Sequence, residues 1–281
     1  MPDAPTRRYA YFGPAGTFTE QALRSLPESK GAEHLPCTTV TEALDRVRRN
    51  EATGAVVPIE NSVEGAVSVT LDELASGDPL LIRREVTVPV TFDLASLTDR
   101  PLAEIKLIGT HPHAAAQTRA WVTANIPGAK VVPAPSTAAA AEAIASKDTH
   151  WDAAICAPQA TKTYGLTALA SNIGDNPDAQ TRFILVGRAG ISEPPTGADK
   201  TTLVVYIRDD HSGALLELLE EFQLRGVNLS RIESRPTGVG LGKYCFSIDC
   251  EGHIEDERVG EAGATAIPGL APSSDPRAST K

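Results

Sequence analysis

The sequence feature that most constrains the fold is the alternation of short apolar segments with helical patterns, in which small polar residues follow the apolar segments. The segments of strand length lie at 54–58, 105–109, 131–133 and 153–156. This alternation is typical of layered α/β folds, where ligands meet the carboxyl ends of the strands. Residues 80–92 are rich in β-branched side chains and predict an extended crossing to a second lobe. We therefore expect a two-lobed α/β body with a cleft between the lobes.

Hydroxyl and amide side chains recur where the predicted strands end. They are Thr17, Asn61, Ser62, Thr110, Ser136, Thr137 and Thr181. Such groups orient a hydroxyl or a carboxylate through hydrogen bonds rather than abstract protons. Arg182 follows Thr181 at the start of the apolar strand 183–186 and can hold a carboxylate. Taken alone, Asn61 fits an Asx turn equally well, Thr181 an ordinary strand residue and Arg182 a surface ion pair.

The first predicted strand, at 9–12, leads into the glycine-containing turn 13–16 and then into a helix. Thr17 and Glu20 have the spacing of a capping box, which predicts that the helix begins at this turn. The exposed amide groups of such a terminus favour an anion. The lysine of a phosphate-binding loop is missing here, which argues against a nucleotide site.

Charge and composition argue against several classes of partner. The 281 residues carry a formal net charge of −10 without a basic stripe long enough to bind a nucleic acid. No apolar run reaches the length of a signal peptide or a membrane span, so we expect a cytoplasmic protein with no membrane partner. The four cysteines lack C-x-x-C spacing, and no further ligands cluster with His111 and His113. The sequence therefore predicts neither a metal site nor a disulfide framework.

A second unit follows the first in the chain. Residues 190–200 have the composition of a linker, and 201–262 predict the order β-α-β-β of a ferredoxin-like unit. The glycine-rich stretch 238–242 predicts a hairpin tip rather than a dinucleotide-binding loop, because a strand and not a helix follows it. A further helix is expected to begin near Glu255. Residues 263–281 have no apolar period and predict a disordered tail.

Several motifs carry a resemblance to a known family. They are Gly13-Pro-Ala-Gly-Thr-Phe18, Pro58-Ile-Glu-Asn-Ser62, Thr110-His-Pro112, Ser136-Thr137, Tyr164-Gly-Leu166 and Thr181-Arg-Phe183. With these motifs in family order, the chain resembles prephenate dehydratase, which converts prephenate to phenylpyruvate on the route to phenylalanine. The resemblance implies a catalytic domain at 7–189 with a two-lobed fold similar to periplasmic binding proteins, without a cofactor or a metal.

The resemblance also implies roles for individual residues. The expected catalytic residues are Thr181, Asn61, Thr110 and Gln117. The expected substrate-binding residues are Thr17, Ser62, Ser136, Thr137, Arg182 and Phe183. We expect Thr181 to donate a hydrogen bond to the leaving hydroxyl group of the substrate. Either Arg182 or the helix terminus at Thr17 is expected to hold the pyruvyl carboxylate.

The second unit resembles an ACT regulatory domain. In the family, the start of its first helix and the end of a strand bind phenylalanine at a dimer interface. These segments imply an allosteric site made of Gly213, Ala214, Leu215, Leu216, Glu233, Ser234, Arg235 and Pro236. Since ACT units usually pair, we expect a homodimer or a homotetramer.

The chain departs from the family pattern in three places. His113 stands where Gln is more frequent, and Gln180 stands where an Asn usually precedes the threonine. The helix expected near Glu255 has no apolar continuation beyond 262, so the last helix and the last strand of the ACT unit are predicted to be lost, which leaves an open sheet edge. We therefore expect weakened phenylalanine regulation, or association of the open face with another subunit.

Two other functions fit the same residues. Arogenate dehydratase performs the same chemistry on the amino analogue of prephenate. A non-catalytic cytoplasmic amino-acid sensor would explain the ACT unit and the missing acid–base residues. Comparing turnover of the two substrates separates the two enzymes, and any turnover excludes the sensor.

Overall fold

The computed structural model describes residues 7–190, 193–207, 211–237 and 243–266. The chain divides into two compact units, residues 1–189 and 190–281. No helix in the described part of the chain has the length and apolar character required to cross a membrane. The cytoplasmic location stays a prediction.

The first unit alternates strands and helices over its whole length. Its first half contains β1 (Arg8–Phe12), α1 (Phe18–Ser25), β2 (Glu33–Cys37), α2 (Val40–Arg48), β3 (Gly54–Asn61), β4 (Gly65–Ala66), α3 (Ser68–Leu74) and β5 (Leu80–Pro89). Its second half contains β6 (Asp93–Ser96), β7 (Leu107–Thr110), α4 (Pro112–Gln117), α5 (Arg119–Asn125), β8 (Lys130–Pro133), α6 (Thr137–Ser146), β9 (Ala153–Cys156), α7 (Pro158–Thr163), β10 (Thr167–Ala170) and β11 (Gln180–Arg188).

The first lobe is built on a sheet with the strand order β2-β1-β3-β11-β5, and β4 pairs with β3. β1 runs parallel to β2 and β3, whereas β11 runs antiparallel to β3 and β5. The carboxyl ends of β1, β2 and β3 and the beginning of β11 therefore share one edge, which we name the carboxyl edge. Buried Leu23 on α1 packs against one face of this sheet, and buried Leu44 and Val47 on α2 pack against the other.

The second lobe is built on a sheet with the strand order β10-β6-β9-β7-β8. β7 runs parallel to β8 and β9, so Thr110, Pro133 and Cys156 end their strands at the same edge. Helix α6 begins at this edge, and its fully buried Ala138 and Ala141 lie in the core of the lobe. Their small side chains let the helix approach the sheet closely.

Two crossings join the lobes, at 90–92 between β5 and β6 and at 171–179 between β10 and β11. They run side by side, because the N–H of Val90 donates to the carbonyl of Ala179 at 2.7 Å and that of Ile173 donates to Phe92 at 2.9 Å. The two-lobed α/β architecture predicted from the sequence is confirmed.

The sequence also predicts a short helix at 161–169 and a helix at 113–125, and both predictions are wrong in detail. The helix predicted for 161–169 ends at Thr163, because Gly165 adopts a left-handed φ of +65°, and β10 follows it. The helix predicted to run through 113–125 is divided at Thr118 into α4 and α5.

The strands around the predicted site are longer than the sequence indicates. β3 continues to Asn61, and β11 begins at Gln180, so Asn61 and Thr181 lie inside strands rather than beyond their ends. The extension comes from pairing: β3 carries a bulge at Ile59, since Phe183 faces Pro58 while the preceding β11 residue faces Glu60. A bulge adds one residue to a strand and re-aims the side chains beyond it.

The second unit contains β12 (Lys200–Tyr206), α8 (Ala214–Leu224), β13 (Leu229–Pro236), β14 (Tyr244–Glu251) and α9 (Glu257–Ala266). In the described residues its sheet has the order β12-β14-β13 with antiparallel neighbours. Phe222 of α8 and Val259 of α9 are buried with Ile248 of the sheet in one core. The predicted order β-α-β-β is confirmed.

The helix expected to begin near Glu255 is present as α9, so the expectation that the last helix of this unit is lost is wrong. α9 runs for ten residues and continues through 263–266, which were predicted to belong to the tail. Val259 and Ala262 provide the buried contacts that hold it, and both pack in the core of the unit. The predicted loss of the last strand and the rest of the predicted tail fall on 267–281, outside the described residues. The predicted hairpin tip at 238–242 also lies outside them.

Candidate active site

The two lobes of the first unit meet beside the carboxyl edge. The hydroxyl of Tyr164, just after α7, donates to the carbonyl of Ala15 in the turn after β1 at 2.9 Å. A Cβ atom on Gly16 would lie 2.9 Å from the Cα of Ala160, so only glycine permits this approach, and its φ of +83° also favours glycine. Burial raises the pKa of Tyr164 to about 12, so its hydroxyl is a neutral donor at physiological pH. The turn and α7 thus close one side of the space between the lobes.

Two further contacts cross between the lobes. The rings of Phe18 and Phe92 meet edge to face with centroids 5.9 Å apart, and Phe18 packs in the cores of both lobes. The Nε2 atom of His113, on α4, lies 4.0 Å from the carboxylate of Glu64, in the turn after β3. The carboxyl edge of the first sheet therefore faces the second lobe, and the residues at this edge line the predicted cleft.

Asn61 and Thr181 pair across β3 and β11 at this edge. The Nδ2 atom of Asn61 donates to the Oγ1 atom of Thr181 at 2.7 Å. The Oδ1 atom of Asn61 accepts from the backbone N–H groups of Val63 at 2.8 Å and Glu64 at 3.1 Å. The structure therefore combines the two readings of Asn61, because its side chain forms an Asx turn and also bonds the predicted catalytic threonine.

This arrangement fixes the direction of the Thr181 hydroxyl. Since Oδ1 of Asn61 is occupied by two N–H groups, the amide can present only its NH₂ group to Thr181. Oγ1 of Thr181 then acts as an acceptor toward Asn61, and its own proton has no acceptor among the described residues. Thr181 is 8% exposed. It is therefore a nearly buried hydroxyl whose proton is available to a bound molecule.

Gln117 ends helix α4 in the second lobe. Its Oε1 atom is buried and has no hydrogen-bond partner in the described part of the chain. A buried polar atom without a partner is costly, and a bound ligand that donates a hydrogen bond would remove this cost. The geometry therefore supports the predicted role of Gln117.

Thr110 lies at the end of β7 but its hydroxyl points into the lobe. The residue is fully buried, and its Oγ1 atom donates to the carbonyl of Ile155 at 2.7 Å. The bond connects β7 with β9 and uses the only proton of the hydroxyl. This geometry favours a structural role for Thr110 and does not support its predicted catalytic role. That role stays a prediction.

The helix terminus at Thr17 already holds a carboxylate of the protein. Oγ1 of Thr17 accepts from the N–H of Glu20, as the capping-box spacing predicts. The Glu20 side chain, which is nearly buried, accepts from the N–H of Gly16 at 2.5 Å and from Arg24 at 2.6 Å. Glu20, which is paired with Arg24, already occupies the N–H donor of Gly16, so a second anion would find one donor fewer at this turn. The geometry does not support a substrate carboxylate at Thr17.

Arg182 lies on the opposite face of β11 from Thr181, because successive strand residues point to opposite faces. Its Nε atom donates to Glu85 at 2.6 Å and its Nη1 atom to Glu60 at 3.2 Å. The side chain is 12% exposed. Two carboxylates therefore neutralise the guanidinium away from the cleft, and the predicted contact of Arg182 with substrate is not supported by this geometry.

The remaining predicted residues lie at or near the same edges. Ser62 is bound to Gln180 by two hydrogen bonds, one from each backbone N–H, each 2.9 Å long. Ser136 caps α6 by accepting from the N–H of Ala139, and Thr137 is the first residue of that helix. Phe183 is buried in the core beneath α1 and packs the root of the strand.

His111 and His113 are placed as a pair beside the cleft. Their rings meet edge to face with centroids 4.8 Å apart, and Nδ1 of His111 accepts from the N–H of His113. Burial lowers the pKa of His111, and the neighbouring His113 lowers it further. The described residues contain no group of three or more His, Cys, Asp and Glu side chains that could hold a metal ion.

Comparison with known proteins matches both units. Residues 9–190 match the family model for prephenate dehydratase, and residues 201–262 match the model for the ACT domain. A prephenate dehydratase from Amycolatopsis methanolica is 48% identical over 256 residues, which cover 91% of this chain and 82% of the relative. The chain belongs to the prephenate dehydratase family. The resemblance inferred from the sequence motifs is thereby confirmed.

Two solved structures share the fold along most of the chain. Prephenate dehydratase from Arthrobacter aurescens, crystallised in complex with L-Phe, is 53% identical with a TM-score of 0.88 and covers 93% of this chain and 87% of its own. A structure described as a novel type of quorum quenching acylase is 30% identical with a TM-score of 0.78 and covers 91% and 93%. These similarities confirm a two-lobed catalytic fold followed by an ACT unit.

In the ACT unit of this family member, the two predicted effector segments come to the same end of the sheet. Tyr206, which ends β12, and Arg235, near the end of β13, both pair with Cys245 of β14. Helix α8 follows β12 and begins after Gly213, whose φ is +101°. Leu216 on its first turn is 60% exposed. An exposed leucine at this end of the sheet is available to an apolar ligand or partner.

Sequence reasoning missed three residues that shape the catalytic unit. Tyr164 was quoted in a motif but was given no role, although it bonds the other lobe. Glu20 was predicted only as a helix cap, whereas its charge occupies the turn after β1. Asp175 was assigned nothing, yet it binds the start of α5. No spacing rule indicates the contacts of Tyr164 and Asp175, because each joins segments that only the tertiary fold brings together. Glu20 instead bonds Gly16 within the same turn of the chain.

Proposed function

We propose that the chain catalyses the decarboxylating dehydration of prephenate to phenylpyruvate in phenylalanine biosynthesis. The single observation that carries the proposal is the Asn61–Thr181 pair, which holds a nearly buried hydroxyl at the edge of the cleft with its proton available. A chain of this family needs such a donor where the hydroxyl group of the substrate leaves.

The chemistry requires little from the protein beyond orientation and one well-placed donor. Prephenate loses carbon dioxide from its ring carboxylate and hydroxide from the opposite ring carbon, and the electron pair of the broken carbon–carbon bond completes the aromatic ring. Thr181 donates a hydrogen bond to the departing oxygen, which leaves as hydroxide and takes up a proton from bulk solvent. Gln117 accepts a hydrogen bond from the substrate through its unpartnered Oε1 atom. Fixed neutral donors and acceptors lower the barrier without moving a charge.

The position of Arg182 agrees with this chemistry. A cation beside the ring carboxylate would stabilise the ground state and oppose the loss of carbon dioxide. Glu60 and Glu85 hold the guanidinium on the other face of β11. The proposed site therefore presents neutral polar groups to the reacting ring.

The similarity to a quorum quenching acylase does not favour acyl hydrolysis by this chain. A threonine nucleophile requires an adjacent general base that takes its proton. Here Oγ1 of Thr181 instead accepts from the amide of Asn61. The same hydrogen bond suits a donor, as the dehydration requires.

Comparing Thr181→Ala with Thr181→Ser tests the function and the role of the hydroxyl together. Conversion of prephenate to phenylpyruvate is measured with a chelator present, and arogenate is tested in parallel. Removal of the hydroxyl is expected to lower kcat by about 100- to 1,000-fold, while serine keeps most of the activity. Thr123→Ala, in an exposed part of α5, is the matched control and keeps full activity. A wild-type chain without turnover would refute the function, and a Thr181→Ala variant with normal kcat would refute the assigned role.

We further propose that 7–189 form the catalytic domain, 190–200 the linker and 201–262 the regulatory unit, with phenylalanine as its effector in a homodimer or homotetramer. The similar dehydratase crystallised with L-Phe supports this assignment. Because α9 is formed, one of the two reasons to expect weakened regulation is removed. Titrating turnover with L-phenylalanine, with L-lysine as the control, tests the proposal. If inhibition by L-phenylalanine persists in the Glu233→Gln and Leu216→Ala variants, the segments 213–216 and 233–236 do not form the effector site.

A further inference from the structure

Asp175 makes three hydrogen bonds to the region where α4 ends and α5 begins. Its Oδ2 atom accepts from the N–H of Ala120 at 2.9 Å, and its Oδ1 atom accepts from the N–H of Trp121 at 3.1 Å. Its own N–H donates to the carbonyl of Gln117 at 2.7 Å. The residue thus binds both sides of the division between the two helices from the second crossing.

The division at Thr118 explains why a distant residue is needed. Thr118 occupies the N-cap position of α5, but its Oγ1 atom donates to the carbonyl of Ala114, and it makes no capping bond. The second and third amide groups of α5 would then lack an acceptor, although a cap normally satisfies them. The carboxylate of Asp175 takes the place of the local cap, and its negative charge suits a helix amino terminus.

The same contact determines where Gln117 lies. Gln117 is the last residue of α4, directly before the division, and its backbone carbonyl is held by Asp175. Its side-chain Oε1 atom is buried without a partner in the described part of the chain. The crossing that carries Asp175 continues directly into β11 and Thr181. The segment 175–180 therefore connects the bond to Gln117 with Thr181, and both of these residues belong to the proposed reaction.

We propose that Asp175 is a positioning residue that sets the placement of Gln117 relative to Thr181. The inference rests on the proposed function, since it assigns Asp175 to the same site. Asp175 does not act on the substrate. By binding the start of α5 and the carbonyl of Gln117, it fixes the position of Gln117 in the second lobe relative to the Thr181 hydroxyl in the first lobe. A shift of about 1 Å in such a group can lower a rate by up to roughly 100-fold.

A double-mutant cycle distinguishes positioning through Gln117 from a general loss of stability. Asp175→Ala, Gln117→Ala and the double variant are compared with wild type for kcat and KM on prephenate. We expect Asp175→Ala to lower kcat on the order of tenfold, and to have no further effect once Gln117 is alanine. Asp175→Asn is expected to recover part of the activity, because asparagine keeps one of the two oxygens that accept from the N–H groups of Ala120 and Trp121. The exposed Asp178 lies in the same crossing, and Asp178→Ala is the matched control with unchanged kcat.

Each outcome decides a different statement. If the wild-type chain turns over prephenate, and Asp175→Ala lowers kcat by the same factor in the wild-type and Gln117→Ala backgrounds, this inference is overturned. The proposed function then remains intact. An Asp175→Ala variant with normal kcat has the same consequence. A wild-type chain without turnover would overturn the proposed function and this inference with it. Thermal unfolding of every variant shows whether the loss of kcat follows stability instead, which would also refute positioning.

Discussion

Replacing Asn61 by Asp tests the direction of the Thr181 hydroxyl, on which the proposed chemistry depends. The two side chains have the same shape, so the oxygen that accepts from the N–H groups of Val63 and Glu64 is retained. The group that faces Thr181 changes from a donor to a charged acceptor. Thr181 is then expected to donate its proton to the new carboxylate instead of to the leaving hydroxyl of the substrate.

The size of the effect follows from the competing hydrogen bond. A hydrogen bond to a charged acceptor is worth about 1.5–3 kcal/mol, and every ~1.4 kcal/mol is a factor of ten in population. The fraction of Thr181 hydroxyls that point toward the substrate should therefore fall roughly 10- to 150-fold. We expect kcat to fall by a similar factor at neutral pH, while KM and the unfolding midpoint change little.

The pH dependence gives a second measure of the same exchange. A protonated carboxyl at position 61 can donate to Thr181 as the amide does, so activity of the Asn61→Asp variant should rise as the pH falls toward the pKa of that group. The ordinary pKa of aspartic acid is about 3.9. Phenylpyruvate release is measured against pH after subtraction of the uncatalysed rate, and the wild-type chain should show no such rise.

Asn61→Ala is the control for this experiment. It removes the turn and the bond to Thr181 without diverting the proton, so its stability should fall more and its kcat less than in Asn61→Asp. Near wild-type kcat for Asn61→Asp at neutral pH would show that Thr181 does not act as the donor. If Asn61→Asp lowers both kcat and the melting temperature, the loss of activity follows from lost stability and does not support a role of the Thr181 hydroxyl.

Gly109→Ala is expected to lower the free energy of unfolding by about 1–3 kcal/mol, measured by chemical denaturation, because the added methyl group would overlap the ring of Trp151. An unchanged midpoint would contradict this. Arg182→Gln should reduce the free energy of unfolding by ~1–3 kcal/mol through loss of its two ion pairs, and leave KM for prephenate within about twofold. A tenfold higher KM would instead assign it to substrate binding. Burial raises the pKa of the Cys156 and Cys250 thiols to about 11, so near pH 8 both stay protonated and should react with a thiol reagent much more slowly in the folded than in the denatured chain. Equal rates in the two states would refute this.

The lobes and their order could be predicted because they depend on local periodicity. Apolar segments of four to eight residues between helical patterns indicate an α/β sheet whatever the tertiary details. The placement of Thr181 at the edge of the cleft followed from the same rule, since strand ends are where ligands meet these folds. The cap at Thr17 is equally local, and it forms as predicted.

The face of the sheet toward which a strand side chain points was harder to predict from the sequence. Asn61 was expected beyond its strand, but pairing with β11 extends β3 and inserts a bulge at Ile59. Each added strand residue changes the face of the next, so one residue decides whether Thr181 or Arg182 meets the cleft. Pairing partners are distant in sequence, and no local pattern predicts their register.

The division between α4 and α5 has a similar cause. Thr118 is neither glycine nor proline, and no residue around it signals a helix end. The helix divides where Asp175, more than 50 residues later in the chain, supplies the cap. A side chain from a crossing segment thus determines a helix boundary that local propensity alone would have continued.

The charged side chains around the cleft are paired with one another. Glu20 is neutralised by Arg24 and by the amide of the turn after β1, and Arg182 is neutralised by carboxylates on the far face of β11. Loss of carbon dioxide creates electron density in the ring, and loss of hydroxide removes it, so a fixed charge that favours one step opposes the other. A hydroxyl such as Thr181 polarises the leaving oxygen without holding the carboxylate. In the proposed mechanism, the pairing of nearby charges with each other lets one neutral donor, Thr181, direct the reaction.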